Sequence, residues 1–186
     1  MSHTVFENGL GYEGKVTLTL KSNDRVLQSK TYKNNGTIHL FRFLGYCLTG
    51  AYAEAAKLLP TKILLLYNSS GSPVSATPTQ VDPCTRFQPR VQTPTIISDS
   101  DNAQVKVIYN FEVSRASITA PFNQIALYGD GMSYPADIVE FSAYHFLETT
   151  DGKFDLIATD NWSTTTVLLV EWELTISNKN TETNNS

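Results

Sequence analysis

Hydrophobic and polar residues alternate along much of this chain with a period of two, and one stretch breaks that rule with a helical period. From Thr37 to Leu59, Ile38, Phe41, Leu44 and Leu48 recur at helical spacing with Leu40, Phe43 and Cys47 beside them, while His39, Arg42, Tyr46 and Thr49 fall on the opposite stripe. The pattern predicts one amphipathic helix with this apolar face buried and the other wet. Asn34, Asn35 and Gly36 supply a turn and an N-cap, Gly50 interrupts the pattern, and Pro60 stops it.

Elsewhere the period is that of strands. Lys15 to Lys21 alternate strictly, Ser22, Asn23 and Asp24 make a turn, and Arg25 to Tyr32 return, which reads as a hairpin with one wet face. Ile63 to Tyr67 is apolar on both faces and predicts a strand covered on both sides. Asn68 to Pro94 then dissolves into Ser, Gly, Thr and Pro, a loop long enough to suggest function or docking. Strand signals resume at Val91 to Ile97 and turn at Ser98 to Asn102. Val105, Val107, Tyr109, Phe111 and Val113 then share one face. Gln124 to Tyr128 and Ile138 to Phe146 are further strands, and Phe154 to Ala158 is expected to pair with the last one. There Leu168, Val170, Trp172, Leu174 and Ile176 face a core, and Glu171, Glu173 and Thr175 face away.

These elements predict a mainly β protein, an antiparallel β-sandwich-like single domain of about eight to nine strands with one amphipathic helix. Residues 1–14 are expected to form an N-terminal arm, 15–177 the domain with its helix at 37–59 and loop at 68–94, and 178–186 a polar C-terminal tail.

At 186 residues the chain is long enough to bury its own core. Charged residues make up 17%, below the roughly 25% usual for globular domains. Ser, Thr and Asn take their place, as suits a surface buried against partners, because neutral polar groups cost less to desolvate than ions. β-rich domains are also simply rich in Thr. A net charge of −4 argues against gripping phosphate backbones, so no direct nucleic-acid binding is expected. No basic region followed by an apolar core opens the chain, and no apolar run reaches about 18 residues, so neither a secretion signal nor a membrane span is expected. Cys47 and Cys84 read as reduced thiols of a chain made in a cytoplasm.

Candidate chemistry is sparse. Gly9, Gly11 and Gly14 spell GxGxxG, but a strand follows where a dinucleotide site needs a helix, and the glycines are expected to lie in a flexible arm. Asp99 and Asp101 resemble the start of a calcium loop. Gln104 and Asn110 stand where that loop needs Gly and Glu, so a hairpin turn explains them better. His3, His39, His145 and the cysteines lack metal-ligand spacing. Glu171 and Glu173 could in principle serve a glycosidase, yet strand alternation accounts for them. No catalytic residue, metal or cofactor is predicted. Tyr134 and Trp162, beside turns, form a candidate stacking platform for a sugar or receptor, so a carbohydrate- or receptor-binding module is the alternative reading.

The layout resembles small β-rich virion structural proteins of tailed bacteriophages, from about Asn34 to Ile176. The residues carrying the likeness are the Asn35-Gly36 turn, the helix from Thr37 to Gly50, the Leu59-to-Leu66 approach to a strand, and the long polar loop. Tyr109-Asn110-Phe111-Glu112-Val113, Asn123 to Tyr128 and Leu168 to Ile176 complete it. Similar chains often carry a Glu-Ile-Gly-Leu type segment where Gln124-Ile125-Ala126-Leu127 stands here. The resemblance implies a non-enzymatic protein located in the virion. It would be a neck or tail component, a capsid decoration or a fibre-attachment protein, present as a homo-oligomer or symmetric multi-copy assembly with other virion proteins. In such an assembly Val5, Phe6, Tyr12, Val81 and Phe87, from the arm and the loop, are the expected partner contacts.

Overall fold

The computed structural model describes residues 8–36, 38–67, 82–83, 88–89, 91–118, 122, 124–129, 140–142 and 163–180. Their chain order is β1 (Asn8–Ser22), β2 (Arg25–Gly36), α1 (Ile38–Thr49), α2 (Tyr52–Leu58), β3 (Pro60–Tyr67), β4 (Asp82–Pro83) and β5 (Gln88–Pro89). There follow β6 (Thr95–Asp99), β7 (Gln104–Ser114), a single 3-10 turn at Arg115–Ser117, β8 (Gln124–Gly129), β9 (Glu140–Ser142) and β10 (Thr166–Asn180).

The protein is mainly β, with a five-stranded antiparallel sheet, a smaller sheet and two short helices. The larger sheet runs β2-β1-β10-β7-β6. In the smaller one β8 lies between β9 and β3, with β4 and β5 pairing with β3. The end of β2 links the two, Asn35 and Gly36 pairing with Phe141 and Glu140 of β9.

Alternation decides which side chains meet between the sheets. Val16, Leu18 and Leu20 of β1, Tyr109, Phe111 and Val113 of β7, and Leu168, Val170, Trp172 and Leu174 of β10 form one apolar cluster with Ile63 and Leu65 of β3 and Ile125 and Leu127 of β8. Leu40, Ile118 and Phe122 complete it. Leu64, Leu66, Ala126 and Tyr128, on the opposite face of the smaller sheet, are buried as well, as the unbroken apolar run of β3 requires. At one end α2 lies against β8, so close that a Cβ on Gly129 would stand 2.8 Å from the carbonyl carbon of Leu58.

Several expectations are corrected. The predicted single helix is two, because Gly50 adopts φ 76°, a left-handed conformation that ends α1. The amide of Ala51 donates to the carbonyl of Tyr46 (2.9 Å) and that of Gly50 to Cys47 (3.4 Å), closing the helix end. Only part of the apolar side expected for α1 is buried. Leu40 enters the core, whereas Phe41 is 54% and Leu48 86% exposed. Periodicity alone located an apolar stripe wider than the contact that α1 makes.

Residues 8–14 are no arm but the first half of β1, paired with β10 from Asn8↔Asn180 to Gly14↔Leu174. Backbone pairing with a neighbouring strand extends the element past the end of apolar alternation, which also carries β10 to Asn180, into the predicted tail. Gly11 and Gly14 are buried within that strand. Both sides of β10 are paired, with β1 and with β7, over Val167 to Ser177, and the structure describes no pairing of it with Phe154 to Ala158. Those residues lie outside the described ones, as do most of Asn68 to Pro94 and of Ile138 to Phe146. Strand β6 begins at Thr95; Val91, upstream of it, donates its amide to the carbonyl of Asn110 of β7 (2.9 Å).

Candidate functional site: an open sheet edge and an outer trough

The outer face of the larger sheet carries rows set by strand register. Thr17, Glu171 and Asn110 lie side by side across β1, β10 and β7, and Thr19, Leu169 and Glu112 form the next row. With Lys21, Val91 and Gln92, they line a solvent-open trough of about 400 Å³. Hydroxyls continue it onto β2, where Thr17 pairs with Thr31 (2.9 Å between oxygens) and Thr19 with Ser29 (2.8 Å). Phe111, the aromatic residue of this lining, is buried on the core side and presents no ring for stacking.

The trough's carboxylates, Glu112 and Glu171, are exposed. Glu173, considered with Glu171 in the sequence, is instead held by Lys106 at 3.0 Å and accepts a longer bond from Thr175 (3.4 Å). Asp99 closes the β6–β7 hairpin, the turn expected at Ser98 to Asn102. Its Oδ1 accepts the amides of Asp101 (3.1 Å) and Asn102 (3.2 Å), and Oδ2 accepts the side-chain amide of Asn102 (2.7 Å). The Asn102 bonds, side chain first and then backbone, hold the Asp99 carboxyl below its usual range. No group of three or more His, Cys, Asp or Glu able to hold a metal exists among the described residues.

The edge of the sheet is different in character. Strand β6 is paired on one side with β7, and among the described residues no strand pairs with its other side. Ile96 shares a face with Val107, on the core side, and is 68% exposed; Ile97, beside Lys106, faces outward and is 47% exposed. Val105 and Val91 add exposed apolar surface nearby. Within Thr95-Ile96-Ile97-Ser98-Asp99 there is no Lys, no Pro and no bulge, the usual devices that keep a free edge from pairing.

Of the residues expected to contact partners, Tyr12 is described. It sits in β1, half-buried and packed against the core cluster, so its ring serves the fold. Val5, Phe6, Val81 and Phe87 lie outside the described residues, as do Tyr134 and Trp162 of the candidate platform. Sequence reading passed over the β6 edge because Thr95 to Asp99 looks like any short strand; the absence of charge from Thr95 to Ser98 was its one signal. Cys47 is a free, exposed thiol. No helix among the described residues is long and apolar enough to cross a membrane. No protein-family model, curated protein or solved structure matches the chain.

Proposed function

We propose that the protein is a non-enzymatic structural component that assembles with other protein subunits, of the kind that tailed-phage virions use in necks, tails, capsid decoration or fibre attachment. The observation that carries this reading is the unprotected β6 edge. A row of backbone donors and acceptors flanked by exposed Ile96 and Ile97 is what an added strand from a second subunit requires, the backbone supplying affinity and alternate side chains supplying register. Neutral Ser and Thr on the sheet's outer face suit the same role, since they can be covered at small desolvation cost.

Particles from producing cells test the proposal. Ile97→Lys places a charge on the edge at a residue already 47% exposed, so the fold tolerates it. The wild-type chain is expected to sediment with particles, with β6 against a strand of another subunit in a reconstruction, and the Ile97→Lys chain to stay in the soluble fraction. A chain found wholly apart from any particle overturns the proposal.

A further inference from the structure

We infer that α1 joins two copies of this chain, through a two-fold antiparallel helix pair that crosses at Gly45. The inference rests on the assembly reading and names one partner for it, but it uses a surface distinct from the β6 edge.

Phe41, Gly45 and Leu48 share one stripe of α1, spaced four and three residues apart. The two large residues are 54% and 86% exposed, and a Cβ on Gly45 would meet nothing within 4 Å. The stripe is thus a dent between two apolar knobs. Such a surface fits its own copy turned end for end. With the axis at Gly45, Phe41 of one copy packs beside Leu48 of the other, twice, while the two glycines let the backbones approach closely.

Charge selects the same arrangement. The last turn of α1 carries no basic residue and its first turn no acidic one. The negative end of its dipole therefore has no cation from its own last turn. In the antiparallel pair the exposed Arg42 of each copy comes beside Thr49 of the other and supplies that cation. A parallel pair would put Arg42 against its own counterpart and leave both helix ends uncompensated.

Sedimentation equilibrium of the purified full chain tests this, read with three variants. The wild-type chain is expected to show a reversible monomer–dimer equilibrium. Gly45→Leu fits the free chain, where the position is open, but blocks the close approach, and Leu48→Asp charges the knob. Each should weaken dimerisation roughly tenfold or more with an unchanged circular dichroism spectrum. Arg42→Cys with Thr49→Cys, in a Cys47→Ser, Cys84→Ser background, should form an interchain disulfide under glutathione disulfide that peptide mapping assigns to position 42 of one copy and 49 of the other, not to like positions. The same two positions within one helix are about 10.5 Å apart, too far to bridge. A chain monomeric at every concentration, a dimer indifferent to both Gly45→Leu and Leu48→Asp, or no interchain disulfide overturns the inference. Ile97→Lys separates the two claims: the α1 dimer should survive it, whereas particle incorporation should not.

Discussion

At the scale of single residues, burial separates the side chains that hold the fold from those available for contact. Trp172 is fully buried in the centre of the larger sheet, between β1 and β7, opposite Val16 and Tyr109. Trp172→Ala is expected to cost about 3–5 kcal/mol, read as a fall in denaturant midpoint with an unchanged slope. Its role was legible in the sequence, because strict alternation placed it with Leu168, Val170 and Leu174. The exposure of Leu48 was not, because a period says which residues share a face and not what stands opposite. Asp99 adds a pH dependence whose sign follows from its lowered pKa. Above the usual aspartate value near 3.8 the carboxylate holds the hairpin turn in full. As pH falls through the lower folded-state value, the folded chain takes up the proton and that contribution is lost. The amide resonances of Asp101 and Asn102 should titrate below the ordinary aspartate range, and Asn102→Ala should raise the midpoint.

At the scale of elements, boundaries depended on partners more than on local pattern. β7 and the core of β10 could be read directly, since hydrophobic alternation and burial coincide from Tyr109 to Val113 and from Leu168 to Leu174. The first half of β1 could not, because Asn8 to Gly14 carries little alternation and owes its extended form to pairing with residues near the other end of the chain. The break between α1 and α2 was signalled by Gly50, whose positive φ an alanine adopts only under strain. Gly50→Ala should destabilise the protein by about 1 kcal/mol although the space around it is open. Gly129→Ala fails for the opposite reason: its Cβ would strike the backbone of Leu58, and the overpacking should cost about 1–3 kcal/mol. Thermal unfolding of the two variants compares strain with collision directly.

At the scale of the whole molecule, the two candidate contact surfaces lie on different elements, the β6 edge ending the larger sheet and the α1 stripe leaving the helical cover. An assembly could therefore use one for like copies and the other for a different subunit without competition. The class of fold was readable from period alone. The free edge was not, because being an edge is a property of the strand order, which puts β6 last although it lies in mid-sequence. That same order has a kinetic consequence. The strand formed by the last described residues, β10, is an interior strand of the larger sheet, flanked by β1 over Asn8 to Ser22 and by β7 over Gln104 to Ser114. Until β10 has left the ribosome, β1 and β7 each wait with an unsatisfied side, so the larger sheet closes only once Thr166 to Asn180 have emerged. Ribosome-stalled chains ending before Thr166 should stay protease-sensitive, and protection should appear in one step once β10 emerges.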